Sequence, residues 1–447
     1  MDASEKLATK DLPTISQLPL GEDKWWEDVA SLGLPIIEKS LLGEGQLSIT
    51  FLWRDPYGTE KESNIYAVYI DINCITNHQT DTPTALKRIT GTDIWIFQVE
   101  IEDDWRGSYR FIPITNEWQY SSWITRNGRS GNRRKDLRKW WRGLVSKAIT
   151  DPMNRTPLAK GAWRSKFSAV HLPGADRQTA WVNSDNHFEP KYQRVKYEPI
   201  VEINWNSDRL NVSRSCWVFT CGNNKKVTRR SLILLLDGDR WKNDMPLLPV
   251  LSEQTHYGNL PPAVYVLVES IDFLQREKDL TCNDNFWIAI QEELLPVVHK
   301  IYSYSTEPKN TVIVGQSLGG LSAMYAGLKW PNIFGSILSQ SGSFWWPEIE
   351  LMRTPDLESN GWLTEQILTG AFNESKTRIY LEVGSREAAL KPVNYRLFRA
   401  LSQRGFNVEF RQFSGGHDTL CWRNGLIMGL SHLLKDQNDI QVKNHAK

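Results

Sequence analysis

No stretch of this 447-residue chain approaches the ~18 consecutive apolar residues that a membrane-spanning helix needs. Its first residues, Met1-Asp2-Ala3-Ser4-Glu5-Lys6, contain no apolar core of the kind that marks a secretory signal. Both absences lead to the expectation of a protein that stays in the cytosol. Cysteine is scarce: Cys74, Cys216, Cys221, Cys282 and Cys421 are odd in number, scattered and never spaced C-x-x-C, which argues against a disulfide framework or a zinc site. Free thiols are expected. Neither sign of charge is in excess, since 53 Lys and Arg face 52 Asp and Glu for a net charge of +1. Bulk attraction to nucleic acid or to a membrane surface is therefore not expected, and a charged partner must be met by a local patch. With 40% hydrophobic and 23% charged residues, the composition is that of an ordinary soluble protein, long enough for two or three domains. Tryptophan is the residue in surplus, at 20 positions. Many must serve packing, while others are available to wall a site for flat aromatic ligands.

The hydrophobic pattern changes twice along the chain. Residues 1–24 are polar and read as a tether, and residues 25–42 as one or two short helices. From Gln46 the period is two: Leu47, Ile49, Phe51 and Trp53 alternate with polar residues, and the runs at 65–70 and 94–99 repeat the pattern. Short strands separated by turns predict an antiparallel, Ig-like β-sandwich over residues 25–150. Within it, Arg126, Arg129, Arg133, Arg134, Lys135, Arg138, Lys139 and Arg142 face one acid, Asp136. This segment reads either as a solvated linker and helix face or as an anion-facing surface at a domain junction. Residues 151–195, rich in Pro, Gly and polar side chains, read as a linker. Over residues 196–440, short apolar strands alternate with helical stretches, which predicts a mostly parallel sheet covered on both faces.

The second domain contains Gly315-Gln316-Ser317-Leu318-Gly319 between a β-branched run and a helical pattern. Strand, sharp turn and helix make this a nucleophile elbow, with Ser317 exposed at the carboxyl edge of the sheet and the domain an α/β-hydrolase. Glycines two positions either side of the serine are expected because so tight a turn leaves no room for β-carbons there. A serine hydroxyl needs a base to take its proton and an acid to orient the base, in the chain order Ser, acid, His. His417, in a glycine-rich loop after the last strand, suits the base better than His432 inside the final helix or His445 in the tail. Glu387, three residues past Gly384 at the end of a strand, suits the acid. Two alternatives stand beside it: Asp418, or no acid at all if Glu387 is a surface residue paired with Arg386. The oxyanion donors are expected to be the backbone N–H groups of Leu318 and Asp239, the latter in the loop after residues 232–236. A metal held by Asp237 and Asp239 is the competing reading of that loop.

Several segments together resemble the enterochelin (enterobactin) esterases: residues 235–241, 260–267, 292–296, 315–323, 338–346 and 415–423, with residues 105–113 similar to that family's leading β-sandwich domain. The resemblance implies a cytoplasmic, esterase D-like α/β-hydrolase with an N-terminal β-sandwich. It also implies a reaction, cleavage of the trilactone of a ferric catecholate siderophore so that iron is released. It supports Ser317, His417 and Glu387, and it requires no cofactor and no catalytic metal, because iron arrives with the substrate. A ferric tris-catecholate carries a charge of about −3, so its site needs cations and flat walls. Arg240, Lys242, Arg386 and Arg423, with Trp241, Trp345, Trp346 and Trp422, lie beside the catalytic loops in sequence and are the expected substrate-binding residues. The competing functions are an esterase of other aromatic or sugar esters and a non-catalytic siderophore-binding protein.

Overall fold

The computed structural model describes residues 20–41, 43–77, 80–156, 159–160, 166–185, 198–222, 230–245, 247–355, 357–372 and 376–435. They form two compact units that divide near residue 176.

In the first unit, β1 (Ile36–Lys39), β2 (Gln46–Arg54), β5 (Ile94–Glu102) and β4 (Lys87–Arg88) make one antiparallel sheet, and β3 (Ile65–Ile72), β6 (Arg106–Thr115), β8 (Lys166–His171) and β7 (Ala159–Lys160) make the other. Alternation along the strands supplies the core between them: Ile49, Phe51 and Trp53 from β2 meet Val68, Ile70 and Ile72 from β3 and Tyr109 and Phe111 from β6. The outer faces are covered too. Trp25, Trp26 and Val29 of the helix Asp23–Leu32 pack on Leu52, Ile94 and Ile96. Trp123 of the helix Tyr120–Asn127, with Trp140 and Leu144 of the helix Arg133–Val145, packs on Tyr69, Ile112 and Ile114. Tryptophan is abundant in this unit because four layers need large apolar fillers. All eight cations of the basic segment are exposed, on these last two helices and on the loop between them, and Arg133 pairs with Asp81 at 2.8 Å.

Two expectations fail here. Residues 25–42 are not all helical: the helix stops at Gly33 (φ 82°), and Ile36–Lys39 pairs with β2 because adjacent β-branched residues gain more from an edge ladder. Residues 151–195 are not simply a linker. β8 pairs with β6 and buries Ala169 and Val170, whereas Trp181, fully buried, packs in the second unit. The polar composition hid a strand whose inward residues are few.

In the second unit eight strands run β16 (Asn407–Phe413), β15 (Arg378–Gly384), β14 (Ser336–Gln340), β13 (Thr311–Gln316), β11 (Ser231–Leu235), β12 (Ala263–Val268), β10 (Val212–Cys221) and β9 (Val201–Ser207). From β12 to β16 all neighbours are parallel, and β10 and β9 close one edge antiparallel. The central strands β11 and β12 are almost wholly apolar because both faces are buried: Leu232 and Leu234 enter one core, and Ile233 and Leu235 the other. Helices Leu318–Lys329 and Leu390–Gln403 cover the first face, and helix Thr419–Leu433 the second. The carboxyl ends of β11, β13, β14, β15 and β16 thus lie side by side.

The turn after β13 has the expected strand–serine–helix form, with Ser317 at φ 58° and ψ −121°. Only the first of the two motif glycines is sterically required. A β-carbon on Gly315 would lie 2.1 Å from the Gly319 carbonyl oxygen, whereas one on Gly319 would have 3.5 Å to its nearest neighbour. The second crowded position is Gly320, where a β-carbon would meet Ser339 Oγ at 2.7 Å and Gly342 Cα at 3.0 Å. Gly315→Ala is therefore expected to lower stability by about 4 kcal/mol or more or to prevent folding, because backbone must move, while Gly319→Ala stays within about 1 kcal/mol of wild type. Urea-denaturation midpoints of the two variants check this.

Candidate active site

Four loops converge at the strand ends. After β13, the Ser317 N–H donates to the Gln340 carbonyl at 3.0 Å, and the Ser343 N–H donates to the Ser317 carbonyl at 3.0 Å, so the elbow is stitched to the loop after β14. The hydroxyls of Ser317 and Ser343 lie 3.3 Å apart. In the same loop Ser341, at φ 51°, donates its hydroxyl to Glu387 Oε1 at 2.5 Å. Glu387, 3% exposed, also accepts the N–H of Gly384 on Oε1 at 2.8 Å. Its other oxygen, Oε2, faces His417 Nδ1 at 2.7 Å. The carboxylate on Nδ1 fixes the tautomer and leaves Nε2 as a lone-pair base. The indole of Trp422 stands edge-on to the imidazole at 4.6 Å and donates to Ser341 Oγ at 2.9 Å. Acid and histidine loops are joined directly, since the Arg386 N–H donates to the Gly415 carbonyl at 3.0 Å.

This geometry separates the alternatives for the acid. Glu387 is buried and not a surface partner of Arg386. Asp418 caps the helix Thr419–Leu433, accepting the Leu420 N–H at 2.9 Å. Of the other histidines, His432 packs by Tyr380 at 5.6 Å, and His445 lies outside the described residues. Motif reasoning passed over Ser341 and Ser343. The signal for them was Ser341-Gly342-Ser343 directly after the strand that neighbours the elbow.

On the other side of the elbow, Asp237 follows β11 at φ 54° and turns the chain into the helix Gly238–Asn243. Its two carboxylate oxygens accept from Arg276 at 2.6 and 2.7 Å. Burial works to raise this carboxyl, but the Arg276 guanidinium outweighs it and holds Asp237 below the usual aspartate range. Asp239 accepts from the Ser270 hydroxyl and N–H at 3.0 and 3.3 Å. Both carboxylates are engaged by protein donors, and no group of three or more His, Cys, Asp or Glu among the described residues is arranged to hold a metal. The first turn of the helix Leu318–Lys329 leaves its leading N–H groups, Leu318 foremost, without partners inside the helix.

Known proteins are similar to this chain along nearly its whole length. Residues 48–181 match a family model described as enterochelin esterase, N-terminal, and residues 222–433 one described as putative esterase. An iron(III) enterobactin esterase of Dickeya dadantii is 40% identical over 425 residues, covering 94% of both chains. The chain belongs to the enterochelin esterase family. The iron(III) enterobactin esterase of Escherichia coli K12 is 39% identical, covering 94% of this chain and 98% of that one. Among solved structures, the ferric enterobactin esterase of Salmonella typhimurium superposes with a TM-score of 0.80 at 38% identity, over 94% of this chain and all of that one. The Shigella flexneri enterobactin esterase, crystallised in the presence of enterobactin, gives 0.75 at 39% identity over the same shares.

In this chain, half of the expected substrate-binding residues are placed otherwise. Trp241 is 3% exposed and donates to Gln316 Oε1 at 3.2 Å beneath the elbow. Trp422 is likewise buried and holds Ser341 and His417. Lys242 lies over the Trp217 ring at 4.5 Å. Arg423, 6% exposed, makes two parallel bonds to Asp185 at 2.7 Å and one to Gln178 at 2.6 Å, anchoring the segment that enters the second unit. Trp241, Trp422 and Arg423 face inward because the helix phase, which loop adjacency does not reveal, turns them there, whereas Lys242 is exposed along its own helix. Trp345, Trp346 and Arg386 remain half-buried on the site loops, and Arg240 is half-buried in the helix Gly238–Asn243. Arg423→Lys, which loses the planar fork, is expected to cost about 1–3 kcal/mol. Thermal melting together with steady-state kinetics checks this: the melting temperature falls while KM for the substrate is unchanged.

Proposed function

We propose that this chain is a serine esterase that hydrolyses the ester bonds of ferric enterobactin and related catecholate trilactones, releasing iron in the cytoplasm. The observation that carries the reading is the hydrogen-bonded chain Ser341–Glu387–His417 set beside a serine elbow at one sheet edge. Ser317 Oγ attacks a serine-ester carbonyl of the trilactone while His417 Nε2 takes its proton. Glu387 orients the imidazole and stabilises the imidazolium formed. The N–H groups of Leu318 and Asp239, each in the first turn of a helix, receive the oxyanion. Collapse of the tetrahedral intermediate passes the proton from His417 to the leaving alkoxide. Water, deprotonated by the same histidine, then resolves the acyl-enzyme.

The substrate assignment rests on the relatives and fits the site. Trp345 and Trp346, two and three residues after Ser343, offer flat faces to catechol rings, and Arg240, in the helix after β11, and Arg386, in the loop after β15, are the cations assigned to a trianion. No helix among the described residues is long and apolar enough to cross a membrane, in keeping with a substrate met in solution. Incubation with ferric and iron-free enterobactin, resolved by mass spectrometry, tests the proposal. Linear trimer, dimer or monomer is expected from wild type and none from Ser317→Ala. Glu387→Gln, which keeps the shape but loses the correct tautomer, is expected to lower kcat about a thousand-fold to ten-thousand-fold. Intact siderophore after wild-type treatment, or equal cleavage by Ser317→Ala, would sink the proposal.

A further inference from the structure

Directly beneath the catalytic loops, four strands present polar side chains in one register: Gln316 on β13, Gln340 on β14, Glu382 on β15 and Arg411 on β16 are successive partners across the sheet. An apolar strand end would serve burial better, and Gln316, Gln340 and Glu382 are at most 4% exposed. Their hydrogen bonds share a direction. Trp241 Nε1 donates to Gln316 Oε1 at 3.2 Å, Gln316 Nε2 to Gln340 Oε1 at 2.8 Å, and Gln340 Nε2 to Glu382 Oε1 at 2.6 Å. From the far side Arg411 Nη1 donates to Glu382 Oε2 at 3.0 Å. Donors thus converge on Glu382 from both ends, and only an acceptor on both oxygens satisfies them. The helix Thr419–Leu433 is cut to fit: a β-carbon on Gly425 would lie 1.9 Å from Glu382 Oε1.

Each rung adjoins a part of the site. Trp241 sits in the helix that follows Asp237, Gln316 precedes Ser317, and Gln340 precedes Ser341. Gln340 Nε2 donates as well to the Trp422 carbonyl at 2.8 Å, and the Trp422 indole holds Ser341 and abuts His417. We infer that Glu382 is a positioning residue for ester cleavage, the common acceptor of a buried hydrogen-bond row that keeps the elbow, the Ser341 loop and the histidine loop at matched heights. Glu382 is remote from the reacting atoms and acts through Gln340. Burial raises its carboxyl from the usual glutamate range, and Arg411 and Gln340 oppose that rise. The inference rests on Ser317 being the nucleophile.

An alkyl fluorophosphonate, which labels a competent serine with loss of fluoride, separates the two claims when followed by intact mass and peptide mapping. Wild type is expected to be labelled at Ser317, and absence of label there overturns the nucleophile itself. Glu382→Gln sets one donor against another in the row, and displacement of the loops by a fraction of an ångström is expected to slow labelling and kcat on ferric enterobactin by about tenfold to a hundredfold, with KM within about twofold of wild type. The double variant Glu382→Gln with Arg411→Gln restores the match, since two registered glutamines already bond in this row at 2.8 Å. It is expected to recover most of the rate. Labelling of Glu382→Gln at the wild-type rate, or a double variant as slow as the single, overturns the inference while leaving Ser317 as nucleophile. If Glu382→Gln fails to fold, Gly425→Ala presses on the same carboxylate from the helix. Slowed labelling with unchanged KM is then expected, and an unchanged rate counts against the row.

Discussion

A serine held at φ 58° and ψ −121° is the constraint from which the second unit is built. Non-glycine residues resist that conformation, which persists only where the surroundings over-determine it. Here backbone supplies the determination: Gln340 and Ser343 grip the two ends of the Ser317 peptide from one side, and Leu321 starts the helix by donating to its carbonyl at 3.1 Å. Gly315 lets the helix start close over the strand it leaves. Asp237 and Ser341, also at positive φ, follow the two strands that flank β13. Strain is gathered at three adjacent strand ends, where loops must present groups to a shared point in place of running on as regular structure.

Those strand ends were legible in the amino-acid sequence because each is announced locally. Short, mostly apolar runs marked β11 to β15, the elbow motif placed Ser317, and a carboxylate shortly past a strand-ending glycine placed Glu387. A glycine-rich loop before a helix placed His417. What could not be read was which way a side chain turns once the chain leaves the strand. Trp422 and Trp346 occupy equivalent positions in the sequence reading, each beside a site loop. One is buried because the turn from Asp418 into the final helix points it at Ser341, and the other stays half-buried, edge-on to Trp362 at 5.9 Å. Arg423 follows the same rule: its guanidinium is consumed by Asp185, a residue placed in a linker because nothing nearby in the sequence hints at a buried partner.

The two units use their aromatic surplus differently. In the first, Trp53, Trp95, Trp105, Trp123 and Trp140 fill space between strands and helices, so a thin sandwich becomes a well-filled body. In the second, Trp241 and Trp422 combine bulk with an indole N–H that reaches a polar group inside the sheet edge. An indole suits this position because it seals the loops from water while still satisfying a buried acceptor. Charge is handled by a similar economy. The buried Asp237–Arg276 pair and the Glu382–Arg411 pair flank the site on either side, and each neutralises itself locally.

The choice of Glu in place of Asp at position 387 follows from its duties. The residue lies on a turn that closes with its own N–H donating to the Gly384 carbonyl at 3.2 Å, so its α-carbon stands back from the sheet edge. From there the carboxylate must return to the Gly384 N–H, take the Ser341 hydroxyl and still present an oxygen to His417. A side chain one methylene shorter on the same turn could not reach both the strand end and the imidazole. The absence of a β-carbon at Gly384, where one would lie 2.9 Å from Glu387 Oε1 and 2.6 Å from the Gly415 carbonyl, keeps that return path open. The same glycine that marks the acid in the sequence is thus the one that gives the longer acid its room.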